Sequence, residues 1–229
     1  MDLKDYKRLN SFKHWWFEAK RRLILSQIKK DSSLLEVGCG VSDLFNKELN
    51  IVGIDLDQES VNLNKKRGMN SLVGTALALP FDDCVFDVVI LADILEHIKE
   101  SEEALLESKR VLKEDGKLII TLPANKYLWS SHDVELGHVK RYSKKEVIQL
   151  ASDAGLKTMI CSYWNTFLFV PIFLLLNLSK LCKFKINAVK KNNTFLNNLF
   201  LYVLNFETWL LNKGVRFPFG VSVFGVFKK

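Results

Sequence analysis

Apolar positions recur at two distinct periods along the 229-residue chain. Residues 12–28 place Phe12, Trp15, Trp16, Ala19, Leu23, Ile24 and Ile28 at helical spacing, with Lys20, Arg21 and Arg22 toward the polar side. "SLLEV" then reads as a strand, and "GCGVSDLF" leads into a short helix. "NIVGIDLD" reads as a second strand, and "QESVNLNKKRG" as a helix capped by Gly68. "NSLVG" and "FDVVILA" are the third and fourth strands, the latter apolar on both faces. "SEEALLESKRVLKEDG" is a helix begun by Ser101 as N-cap and stopped at Gly116, followed by the strand "KLIITLP". Ser143 and Glu146 form a capping box for a helix to about Ala154, with Gly155 after it. "LKTMICSY" and "FGVSVFGVF" supply a sixth and a seventh strand. Strands alternating with helices predict an α/β fold, a seven-stranded, mostly parallel sheet with helices on both faces.

The segment 164–217 interrupts this alternation as an apolar, Lys- and Asn-rich helical insertion before the last strand. The expected organisation is a helical cap over 1–30, a core over 31–163 plus 218–229, and the insertion. The run "YWNTFLFVPIFLLLNL" is shorter than the ~20 residues of a spanning helix and contains Pro171, so it reads as interfacial or buried. Charge sharpens this. The net charge is +7, yet residues 180–229 hold nine Lys or Arg against the single acid Glu207, so the rest is near neutral. An apolar run beside Lys180, Lys183, Lys185, Lys190 and Lys191 predicts peripheral membrane contact through 164–191. The competing expectation is packing on the N-terminal helix through Trp15 and Trp16. The cysteines, Cys39, Cys84, Cys161 and Cys182, are scattered without C-x-x-C, which excludes a zinc motif and a disulfide framework. The N-terminal "MDLKDYKR" lacks an apolar signal region, and a cytoplasmic protein peripheral to the inner face of the membrane is expected.

Candidate chemistry gathers where strands end. "LLEVGCG" puts Gly38 and Gly40 directly after the first strand, where backbone can approach a ligand closely. Asp43 stands where a dinucleotide fingerprint needs its third glycine, and Glu36 precedes the turn; both would repel a pyrophosphate. E-x-G-x-G, "VGIDLD" with Asp55 nineteen residues after Glu36, "GTALALPFDD" and "FDVVILADILEHI" together resemble class I S-adenosylmethionine-dependent methyltransferases, from Leu34 to about Pro123. The resemblance implies a Rossmann-like class I methyltransferase fold with S-adenosylmethionine as cofactor. It implies that Asp55 takes the ribose hydroxyls and that Glu36, Gly38, Cys39 and Gly40 shape the methionine end. Thr75 and Ala76 would border the adenine, Ala92 the methionine portion, and Leu56 would also bind the cofactor. Ser42 stands where many members have a glycine, and Thr75 where an Asp often meets the adenine amino group.

Methyl transfer to a hydroxyl needs an aligned acceptor and a base. Asp93, Glu96 and His97 follow the fourth strand and share one face of a helical turn; His97 is the base candidate because imidazole titrates near neutrality. This element resembles the E-x-x-E-H of ubiquinone-type O-methyltransferases and small-RNA 2′-O-methyltransferases, which implies a divalent metal on Asp93, Glu96 and His97. The long connection after Pro123 carries "SSHDVELGHVKRYS", from which His132 or His138 could complete a base or metal set. Arg141, with Lys140, would hold an anionic group. Across most of its length the chain resembles bacterial and archaeal methyltransferases grouped with glycosyltransferases, which implies O-methylation of a small-molecule, sugar or lipid-linked glycan acceptor. The alternative is an RNA or protein methyltransferase using the basic C-terminal part. Leu199, Tyr202, Val203, Phe206 and Leu210 recur as the core face of a helix rather than as a base-stacking platform, so nucleic acid is not the expected partner.

Overall fold

The computed structural model describes residues 14–44, 48–182 and 193–229. The expectations for Phe12, Lys183, Lys185, Lys190 and Lys191 lie outside the described residues. Helix α1 (Trp15–Leu25) starts at His14, whose ring accepts the Trp16 amide, and buries Ala19, Leu23 and Ile24. Strands β1 (Ser33–Val37), β2 (Asn50–Asp55), β3 (Asn70–Val73), β4 (Phe86–Ala92), β5 (Leu112–Pro123), β6 (Lys157–Trp164) and β7 (Ser222–Lys228) form one sheet in the order β3-β2-β1-β4-β5-β7-β6. The first five are parallel, and β7 runs antiparallel between β5 and β6. Strand order reverses between β1 and β4, which opens a crevice at their C-terminal ends.

Alternation along the strands builds two cores. Leu35, Val37, Val89, Leu91, Leu118 and Ile120 face one side, covered by α3 (Ser101–Val111) and α5 (Lys144–Asp153) through Ala104, Leu105, Val147 and Ala151. Leu34, Val88, Ile90, Ile119, Phe224 and Val226 face the other, covered by α1 and α7 (Thr194–Asn212) through Ala19, Leu23, Leu204 and Leu211. Helix α2 (Gln58–Lys66) is capped by Asp57 and followed by Gly68 at φ 91°. The capping box of α5 forms as expected: Glu146 N donates to Ser143 Oγ, and Ser143 N to Glu146 Oε2.

The short helix expected after "GCGVSDLF" falls largely on residues 45–47, outside the described residues, and two other local expectations are corrected. Helix α3 stops at Val111, not at Gly116, because buried Leu112 already pairs with Phe86. The register then jumps to Val88 with Lys117, so 113–116 is an excursion with Asp115 at φ 65°. Ser101 is the first residue of α3, and its hydroxyl bonds the Ile98 carbonyl and the Tyr142 hydroxyl instead of capping.

The insertion divides in two. Helix α7 packs on α1: Trp15 N donates to Asn197 Oδ1 at 2.9 Å, Trp15 meets Phe200 edge-on, and Trp16 lies 5.2 Å from Trp164. Its inner face is Asn197, Leu204, Glu207, Thr208 and Leu211, whereas Leu199, Tyr202 and Phe206, expected inside, point outward. Buried Glu207 explains the turn of the face, since its carboxylate accepts the Thr166 and Phe167 amides that start the insertion. Helix α6 (Phe169–Cys182) leaves Val170, Leu174, Leu175 and Leu178 exposed. Among the described residues no helix is long and apolar enough to cross a membrane.

Candidate active site

The turn after β1 is shaped for close approach. Gly38 and Gly40 have φ of 67° and 48°, and a Cβ on Gly38 would stand 2.5 Å from Ile94 Cδ1. Asp55, ending β2, accepts the Gly40 amide on Oδ2 at 2.6 Å and the Asp57 amide on Oδ1 at 2.8 Å. A carboxylate has about four lone-pair sites, so two remain for a diol. Buried Asn64 of α2 ties the turn down, donating to the Gly40 carbonyl at 2.7 Å and accepting from Ser42 N. Glu36 is buried and accepts from the Ser42 hydroxyl, which gives the atypical Ser42 a task. Burial, reinforced by Asp43 and opposed by Ser42 and Lys20, pushes the Glu36 carboxyl up to about 7. Leu56 lies 74% exposed beside Asp55, and Ala76 is buried. The Thr75 hydroxyl accepts the Leu77 amide. Cys39 is buried beside Asn64 and Gly53, so only its backbone borders the turn; burial, then Glu36 and Asp55, push its thiol up, away from any nucleophilic role. A glycine turn with positive φ at Gly38 and Gly40, a diol acceptor, an exposed apolar neighbour and the buried acid Glu36 fit a cationic adenosyl ligand.

The acceptor side is assembled from two segments. Asp93 follows β4 at φ 56° and is held by the Thr121 hydroxyl at 3.0 Å and by Lys20 Nζ at 2.7 Å. That engagement takes Asp93 out of the expected metal set. Its place is filled by His138: donor atoms of Glu96, His97 and His138 all lie within 4.8 Å of one another. Glu96 and His97 sit on the 3-10 turn Leu95–His97, and Val139 N donates to the Glu96 carbonyl at 2.7 Å, drawing in the long connection. The rings of His97 and His138 meet edge-on, 4.8 Å apart. Glu96 is 1% exposed, and its Oε2 has no hydrogen-bond partner among the described residues. Burial first, then the charge of Asp93, hold its carboxyl well above the usual range.

Asp133, fully buried in α4 (Ser131–Glu135), organises the connection. It accepts from His138 Nδ1 at 2.9 Å and takes Arg141 in a two-pronged pair at 2.8 and 3.0 Å. Against the burial that would raise it, the hydrogen bonds from His138 and Arg141 hold the Asp133 carboxyl well below its ordinary value. Arg141, expected to bind an anionic group, is thus occupied by Asp133 and the Ala124 carbonyl, because α4 brings the buried carboxylate against it. Lys140 lies over the Tyr142 ring. His132 is not part of the Glu96–His97–His138 cluster. Sequence reasoning missed Lys20, Asn64 and the organising role of Asp133. Only Asp133 carried a signal, through its spacing to His138 and Arg141.

The parallel sheet with its antiparallel β7, the glycine turn after β1 and the carboxylate ending β2 make the Rossmann-like fold of class I S-adenosylmethionine-dependent methyltransferases. Residues 35–120 match the family model described as a methyltransferase domain. An uncharacterized protein of Methanocaldococcus jannaschii is 29% identical over 158 residues, 63% of this chain and 77% of that protein. The demethylmenaquinone methyltransferase of Staphylococcus carnosus is 31% identical over 130 residues, 50% of this chain and 54% of the enzyme. The chain spans about half the length of several curated relatives it matches. Among solved structures, a Thermotoga maritima S-adenosylmethionine-dependent methyltransferase superposes with a TM-score of 0.65 at 18% identity, covering 99% of this chain and 95% of that one.

Proposed function

We propose that the enzyme O-methylates a small-molecule, sugar or lipid-linked glycan acceptor held over the C-terminal ends of β4 and β5. The observation that carries this reading is the meeting of His97 with His138, whose ring is oriented by buried Asp133, beside the cofactor edge of the sheet. Bound S-adenosylmethionine supplies an electrophilic methyl group on a sulfonium. The chain must align the acceptor oxygen and remove its proton. With His138 Nδ1–H donated to Asp133, Nε2 keeps its lone pair, and the exposed imidazole of His97 takes the hydroxyl proton. The resemblance-implied divalent cation also fits this place. Glu96 Oε2 and the two imidazoles would hold it, and it would lower the acceptor hydroxyl's pKa.

The exposed apolar residues of α6 support a lipid-linked acceptor and peripheral membrane contact. The alternative, RNA or protein methylation, draws on the outward Tyr202, Phe206 and Trp209 of α7, where Phe206 stacks on Trp209 and Phe167. Transfer of labelled methyl into cell extract tests the proposal. Label should enter the aqueous glycan or organic fraction, and label in RNA or protein would overturn it. His97→Ala should lower transfer by roughly 100-fold or more, with affinity for S-adenosylhomocysteine unchanged. Full transfer by that variant would remove His97 from the chemistry.

A further inference from the structure

Helix α1 closes the methionine side of the cofactor crevice. Its residues Lys20 and Arg21 face Glu36, Gly38 and Ala92 across a space of only about 20 Å³. Lys20 is 12% exposed at the side chain, and its Nζ contacts Asp93 Oδ2 at 2.7 Å. The groups around it are acids. Burial disfavours its charge, but Asp93 first, then Asp43 and Glu96, more than offset that and hold the ammonium above its ordinary pKa.

The amino-acid end of the cofactor brings an ammonium and a carboxylate together. Buried Glu36 suits the ammonium and the sulfonium. The carboxylate meets the opposite situation, because Asp43, Asp93 and an ionised Glu36 would repel it. We propose that Lys20 is the counter-charge for the methionine carboxylate, which makes α1 a cofactor-binding lid rather than only a packing helix. An ammonium has three N–H donors, so one can stay on Asp93 while another reaches the ligand. The Thr121 bond holds Asp93, and through it Lys20, at the crevice. Its unbranched stem allows the small shift that admits the ligand.

The proposal rests on the cofactor assignment, and two ligands separate the two questions. S-Adenosylhomocysteine carries the amino-acid end; 5′-methylthioadenosine has the same nucleoside and thioether without it. Titration calorimetry on the full chain should show Lys20→Met weakening S-adenosylhomocysteine by about tenfold or more, since the lost bond joins two charged groups. Methylthioadenosine affinity should stay within about twofold of wild type, and Lys20→Arg should keep most of the S-adenosylhomocysteine affinity. Thermal unfolding of each variant reports whether α1 stays docked. Equal loss for both ligands would make Lys20 an anchor of α1 and overturn the proposal. Unchanged or tighter S-adenosylhomocysteine binding in Lys20→Met would overturn it too, because Lys20 would then compete with the cofactor's cations. Failure of wild type to bind either ligand would overturn the cofactor assignment and the proposal with it.

Discussion

Glu36 titrates near pH 7 in this fold, against a usual value near 4.5. The folded chain thus holds this proton more tightly than the unfolded chain. The group's contribution to stability is complete below pH 4.5 and falls as pH rises toward 7. A cation in the crevice reverses the preference, since it favours the ionised carboxylate. Cofactor affinity should therefore rise about tenfold from pH 6 to pH 8, tracking the ionised fraction of one group of pKa 7. Glu36→Gln should flatten that profile while keeping a Ser42 contact. Calorimetry at three pH values decides the matter, and a flat wild-type profile would sink the idea.

At the scale of elements, the connection from Pro123 to Ser143 owes its shape to a single carboxylate. Replacing Asp133 with Ala would leave the largely buried Arg141 guanidinium without its partner and free the His138 ring. Breaking such a pair costs about 3–5 kcal/mol, so the urea midpoint should drop sharply and turnover should fall with it. A variant of near wild-type stability would show that Arg141 finds solvent instead. Strands β1 and β4 were legible to the residue because their apolar runs end at Gly38 and at Asp93. The end of α3 was not. "RVLKEDG" has good helical propensity, and only the tertiary pairing of Leu112 with Phe86 pulls it into the sheet. The outward face of α7 was misread for a similar reason: a buried Glu207, serving amides forty residues away, outranks the apolar period. Glu36 and Asp55 were readable as site candidates because each sits in a short local motif at the end of a strand. Lys20 was not, since its partner Asp93 is seventy-three residues distant.

For the whole molecule, one side of the sheet is covered partly by α1 and α7, and the exposed α6 extends from the same insertion. Vesicles containing anionic lipid should co-sediment the protein at low salt and release it at high salt, with attraction of about 1 kcal/mol per basic residue near the surface. Leu174→Asp should weaken binding. No sedimentation at low salt would make α6 a solvent-facing cap and return the acceptor to the soluble class. The position of β7 has a consequence for biosynthesis. Strands β1 to β5 can assemble once residue 123 has left the ribosome, but β6 pairs only with β7. For the roughly sixty residues of synthesis between them, β5 offers a bare edge while the apolar α6 emerges beside it. The nascent chain is then at its most aggregation-prone, and the same interval is the first in which α6 could meet a lipid surface.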